Sequence, residues 1–116
     1  MDEKLDYGVK LEAHPNFKWE SGMKTMCGVR LKEGWLLNTW VKRDPEFAPI
    51  PDIEDAATKG CLLSIVRRIT KDDEAHVAKF EQGWCICVWP EPNVVNYHST
   101  EGIALASYIS ESARYL

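Results

Sequence analysis

The chain has no long hydrophobic run, because none of its apolar stretches reaches the roughly eighteen residues that a membrane-spanning helix needs. Its first residues, MDEKLDYG, are charged and lack the apolar segment that secretory signal peptides carry. We therefore expect a protein that is made and kept in the cytoplasm, with no membrane partner.

A strong charge of either sign is also missing. The 116 residues carry a formal net charge of -4 at pH 7, which creates no overall attraction to nucleic acid or to an anionic membrane. Nucleic acid is therefore a disfavoured partner. Local basic pairs are still present, each more typical of a solvated face than of a binding site: Arg30 with Lys32, Lys42 with Arg43, and Arg67 with Arg68.

Recognisable metal, phosphate and cofactor motifs are absent from the sequence. Cys85 and Cys87 would share one face of a strand, but a tetrahedral zinc site needs two more ligands, and no CxxC pair supplies them. No acidic cluster has calcium-loop spacing, and no glycine-rich loop is present. We expect no metal, no cofactor and no enzymatic activity, with the cysteines serving as free thiols in a reducing compartment.

The clearest positive signal is the segment 50–68, IPDIEDAATKGCLLSIVRR, which predicts one amphipathic helix. Asp52 is the predicted N-cap, with Asp55 three positions later in a capping-box-like arrangement. Its predicted buried face has the i, i+3, i+4, i+7 spacing of a helix and consists of Leu62, Ile65, Val66 and Ile69.

Strand patterns lie on both sides of this helix. Residues 17–41 alternate apolar and polar positions between turn signals, which predicts an antiparallel meander. Residues 75–80 and 83–89 predict two more strands, the second covered on both faces. We expect a single α+β domain over residues 1–116, with a mostly antiparallel sheet packed against a central and a C-terminal helix.

Two further helices are predicted at the ends of the chain. Residues 2–12 suit a short helix with Leu5, Val9 and Leu11 partly facing inward. Ser99 or Thr100 is expected to cap the last helix. The apolar face of that helix would contain Ile103, Leu105, Ala106, Ile109 and Ala113.

Five tryptophans are many for 116 residues. Most are expected to fill the core, but tryptophan is also enriched among the residues that dominate protein–protein interfaces. The predicted partner-binding residues are Trp40 with the nearby Lys42 and Arg43, and Trp89 beside a proline-rich turn.

Several segments resemble a family of small uncharacterised accessory proteins of bacteriophages and prophages. They are HPNFKW at 14–19, GM at 22–23, IPD at 50–52, DAATKGCLL at 55–63, VR at 66–67, GW at 83–84 and EGIALA at 101–106. The resemblance spans most of the chain but departs at 34–48. It implies a phage or prophage origin, hence the bacterial host cytoplasm, and it assigns no activity to any residue.

The expected function is therefore non-enzymatic binding of a host protein, including inhibition of a host defence system of the anti-CRISPR type. One alternative is a small nucleic-acid-associated module that uses basic and aromatic side chains. Another is a small hydrolase or transferase with a site around Cys27, His76 or His98. The protein is expected as a monomer or a homodimer.

Overall fold

The fold is α+β, as predicted, in a computed structural model that describes residues 3–32, 50–88 and 97–112. An antiparallel β-hairpin packs against the C-terminal helix, and its inner face joins the core that the central helix helps to form. The elements of the described residues are helix α1, Glu3–Ala13; helix α2, Ala56–Thr70; strand β1, His76–Phe80; strand β2, Gly83–Cys87; and helix α3, Glu101–Ser110.

Helix α2 buries the predicted apolar face, but it begins one turn later than expected. Its N-cap is Asp55, whose side chain accepts the backbone N–H of Thr58 at 3.1 Å, so the prediction of Asp52 was wrong. Asp52 instead accepts the backbone N–H of Glu54 at 3.2 Å and pairs with Lys4 at 2.8 Å. Both aspartates suit a helix start by residue type, and tertiary contacts decide between them.

Asp55 owes its role to partners that come from distant parts of the sequence. Arg30 contacts the carboxylate with both terminal nitrogens, at 2.7 and 2.8 Å. Thr58 donates its hydroxyl to the same carboxylate and accepts the backbone N–H of Lys24. These bonds fasten the 22–31 segment to the start of α2.

Asp55 should make stability depend on pH in the acid range. The hydrogen bond from Arg30 holds the pKa of Asp55 well below its usual range, and the bonds from Thr58 act in the same direction against the effect of burial. Because the folded-state pKa is depressed, the stabilisation is complete above the unfolded pKa of about 3.9 and is lost as pH falls toward the folded value.

We expect Asp55→Asn to lower the free energy of unfolding at pH 7, with the difference from wild type shrinking between about pH 5 and about pH 2. Asparagine still caps a helix, so Asp55→Ala should cost about 1 kcal/mol more at neutral pH. Urea unfolding of the three proteins across this pH range measures both effects. A pH-independent difference between wild type and Asp55→Asn would contradict the assignment.

Helix α3 is the element around which the others gather, because it contacts α1, α2, β1 and β2. Thr100 is its N-cap, as one of the two expected residues, and accepts the N–H of Ile103 at 3.1 Å. Four residues of its predicted apolar face are buried: Ile103, Leu105, Ala106 and Ile109. The fifth, Ala113, lies outside the described residues. Glu54 adds a second cap, accepting the N–H of Gly102 at 3.1 Å and the hydroxyl of Thr100.

Helix α1 forms close to its predicted position but buries a different face. Leu11 is buried, whereas Leu5 and Val9 are 38% and 48% exposed, so their expected inward orientation was wrong. The helix packs inward through buried Gly8 and half-buried Tyr7 instead. The small Gly8 lets the helix approach the chain at residues 50–51 closely.

The predicted meander does not form in the described part of residues 17–41. Residues 17–32 contain only single-residue bridges, Lys24 to Arg30 and Thr25 to Pro51, and the expected strand from Trp35 to Val41 lies outside the described residues. Residues 25–28 form a tight turn, so they are not part of an extended β-ladder. The apolar positions still enter the core, as Phe17, Trp19, Met23 and Leu31.

Candidate interaction surface

The β-hairpin presents two chemically different faces. Its register pairs Val77 with Ile86 and Phe80 with Gly83, and alternation along the strands separates these pairs onto opposite faces. The inner face contributes Val77, Ile86 and the following Val88 to the core. The other, which we call the outer face, carries Phe80 together with the cysteine positions of β2.

Two aromatic side chains stand exposed on the outer face. Phe80 is 43% exposed and Tyr97 is 39% exposed. Their ring centroids lie 6.2 Å apart at an interplanar angle of 77°, an edge-to-face contact. Each ring therefore exposes apolar area to solvent and contacts the other ring. We call Phe80 and Tyr97 the aromatic pair.

The chain that carries Tyr97 is fastened to β2 by its neighbour His98. The backbones of Trp84 and His98 exchange two hydrogen bonds of 2.8 Å each, forming an antiparallel bridge. The imidazole also meets the Tyr7 ring edge-to-face, with 6.0 Å between centroids. Tyr97 is therefore held by backbone pairing on one side and by contact with α1 through its neighbour.

A cation lies close to this end of the hairpin. The Nζ atom of Lys79 is 6.0 Å from the centroid of the Trp84 ring, within cation–π range. Trp84 is half-buried, and Trp19 is buried against Phe17 at 5.2 Å between centroids. Among the tryptophans that the structure describes, Trp84 alone reaches solvent appreciably.

The residues predicted to bind a partner lie elsewhere in the sequence. Trp40, Lys42, Arg43 and Trp89 all fall outside the described residues, so that prediction stands as it was made. Sequence reasoning missed the aromatic pair. Strand alternation places Phe80 on one face of β1, but it cannot say which face is covered by the rest of the protein.

The three residues of the hydrolase or transferase alternative, Cys27, His76 and His98, lie in different parts of the fold. Alternation places His76 on the outer face, opposite Cys87, and His98 on the inner face, opposite Trp84. Cys27 is exposed in the turn at 25–28, where its sulfur lies 3.0 Å from the hydroxyl of Thr25. Each of these three side chains therefore has different neighbours.

Two of the other thiols are held protonated. Burial raises the pKa of Cys61 to about 11, helped by the nearby carboxylate of Glu20. Burial likewise raises the pKa of Cys85 to about 11, with the neighbouring Cys87 contributing. A nucleophilic cysteine needs a lowered pKa, and these shifts run in the opposite direction.

The basic pairs also differ in their surroundings. Arg30 is engaged by Asp55, and the Nε atom of Arg67 donates to the carbonyl of Ala75 at 2.9 Å. A surface depression at the end of α2 is lined by Ser64, Arg67, Arg68, Lys71 and Asp73. Three cations and one carboxylate meet there, next to the helix C-terminus whose dipole favours positive charge.

Comparisons with protein-family models, curated proteins and solved structures gave no match to this chain. Within residues 3–32, 50–88 and 97–112, no helix has both the length and the apolar character needed to cross a bilayer. In the same residues, no set of three or more histidine, cysteine or acidic side chains is arranged to hold a metal ion.

Proposed function

We propose that this chain is a non-enzymatic accessory protein of a bacteriophage or prophage that binds a host protein in the bacterial cytoplasm. Inhibition of a host defence system, of the anti-CRISPR type, is one form that such binding would take. The phage origin rests on the sequence resemblance described above. The binding surface that we propose is the exposed part of the outer face of the hairpin, formed by the aromatic pair.

The exposure of Phe80 and Tyr97 together is the observation that carries this proposal. Large apolar side chains that stay in water at adjacent positions contribute nothing to the core, yet they provide the rigid apolar area that dominates protein interfaces. Their mutual edge-to-face contact reduces the side-chain entropy that a partner would otherwise have to remove on binding.

The residues that carry the resemblance have structural roles in the described fold. Asp55 caps α2, Thr58 receives the backbone of Lys24, and Leu62 is buried in the core. These roles concern folding, so the resemblance supports the proposed origin of the chain and assigns no residue to binding.

Affinity capture from bacterial lysate tests the proposal when it is performed with matched variants. We expect wild type to retain one host protein in stoichiometric amount, and the double variant Phe80→Ala/Tyr97→Ala to lose it. The control is Leu5→Ala/Val9→Ala, which removes exposed apolar side chains of comparable exposure from α1. A partner retained equally by all three proteins would move the binding site away from the outer face.

A nucleic-acid-associated module is the second candidate, favoured by the cations Arg67, Arg68 and Lys71 around one depression. It predicts that the captured material is nucleic acid, that nuclease removes it, and that binding weakens steeply with added salt. Glu substitution of Arg68, which is exposed, would then abolish retention while the aromatic variants would not. Binding that resists nuclease and salt excludes this candidate.

A further inference from the structure

A pair of thiols lies on the outer face of β2, beside the aromatic pair. Cys85 and Cys87 occupy positions i and i+2 of the strand, so their side chains share one face. Their sulfur atoms are 4.0 Å apart, and neither forms a disulfide. Cys85 is 1% exposed and Cys87 is half-buried, which makes the pair accessible from one side only.

The backbone of β2 makes a disulfide between these thiols unfavourable. Two residues of extended strand separate the Cα atoms by about 6.7 Å, at the upper limit that a disulfide spans. The sulfur atoms would also have to close from 4.0 Å to about 2.05 Å, which requires the strand to bend. Oxidation would therefore disturb the pairing of β2 with β1.

The same separation suits two bonds to a single metal ion. Metal–sulfur bonds of about 2.3 Å place two sulfurs about 3.8 Å apart at a tetrahedral angle and about 4.6 Å apart when they are collinear with the metal. The observed 4.0 Å lies between these limits. The two side chains can therefore hold one ion between them without a change in the backbone.

We propose that Cys85 and Cys87 form a two-thiolate clamp for a soft, thiophilic cation, with Cu(I) as the ion whose ligand preference matches the pair best. Cu(I) prefers sulfur ligands and accepts a low coordination number, whereas a structural zinc ion needs four ligands. The described residues offer no third ligand arranged to join the pair. The clamp requires no partner protein, so it stands independently of the proposed function.

The metal ion replaces the thiol protons when it binds. The thiolate is the form of cysteine that binds a metal ion, so each of the two sulfurs gives up its proton on binding. One Cu(I) forms two metal–sulfur bonds and two protons leave to solvent, with no change in oxidation state. The site then carries a net charge of one negative unit.

The test uses the reduced full chain under anaerobic conditions, titrated with Cu(I) against a competing Cu(I) chelator. We expect one tightly held ion per chain, and at least a hundredfold weaker binding for Cys87→Ser. Cys27→Ser and Cys61→Ser are the matched controls, because they remove an exposed and a half-buried thiol and should leave binding unchanged. Retention of tight binding by Cys87→Ser, or its loss in Cys27→Ser, would overturn the clamp.

A second readout on the wild-type protein avoids any effect of substitution on folding. We expect Cu(I) to protect the half-buried Cys87 from alkylation, as peptide masses would show, while Cys27 reacts as fast as in the metal-free chain. Equal alkylation of Cys87 with and without the ion would rule out the clamp. Equal protection of Cys27 and Cys87 would mark nonspecific thiol binding and would equally overturn it.

Discussion

Gly102→Ala should lower the free energy of unfolding by about 3 kcal/mol, near the upper end of overpacking effects. A Cβ atom at this position would lie 2.1 Å from the carbonyl oxygen of Ile53 and 2.6 Å from Oε1 of Glu54. The first of these contacts is with backbone, so no side-chain rotation can relieve it. Helix α3 would have to move away from the segment that caps it, and α3 contacts every other element that the structure describes.

Gly60→Ala is the matched control for this prediction. Gly60 also lies within a helix, but a Cβ atom there would meet nothing within 4 Å. Alanine should therefore raise the free energy of unfolding by about 1 kcal/mol through helix propensity alone. Urea unfolding of both variants gives the comparison. Equal effects of the two substitutions would mean that α3 does not approach Ile53 as described.

Gly83→Ala should cause the second large loss of stability, and it should also disturb the proposed binding surface. Gly83 has a φ of 136°, which L side chains rarely adopt, and a Cβ atom would lie 2.6 Å from the carbonyl oxygen of His98. The strain and the clash together should cost about 3 kcal/mol. Because His98 pairs with β2 beside Tyr97, the substitution should also displace Tyr97 from Phe80.

Gly28→Ala separates the effect of backbone strain from the effect of the steric clash. Gly28 also has a positive φ, 96°, but a Cβ atom there would meet nothing within 4 Å. It should cost about 1 kcal/mol from backbone strain and leave partner capture unchanged. Unfolding by urea and capture from lysate are measured on both variants. If Gly83→Ala costs no more than Gly28→Ala and captures the partner normally, then the bridge to His98 does not position Tyr97.

The helices were the part of this fold that sequence reasoning predicted best. The spacing of Leu62, Ile65 and Val66 is a local periodicity, and a helix follows from it directly. The choice of Asp55 over Asp52 as N-cap depends on Arg30, twenty-five residues away in the chain. Contacts at that separation leave no mark in local pattern, so the error occurred at the helix start.

The errors in the strands have a different physical origin. Alternation at Phe17 and Trp19 predicts a strand, but the same two residues are buried in a segment that forms no ladder in the described chain. Alternation reports which residues share a face and says nothing about pairing. For the same reason, the exposure of Phe80 and Tyr97 became visible only when the position of the core was known.

The most direct test of the central claim is the dissociation constant of the captured host protein for wild type and for Phe80→Ala/Tyr97→Ala. If the outer face of the hairpin is the binding surface, the double variant should bind at least about thirtyfold more weakly, equivalent to about 2 kcal/mol. The Leu5→Ala/Val9→Ala control should bind like wild type. An unchanged dissociation constant for the aromatic double variant would contradict the account.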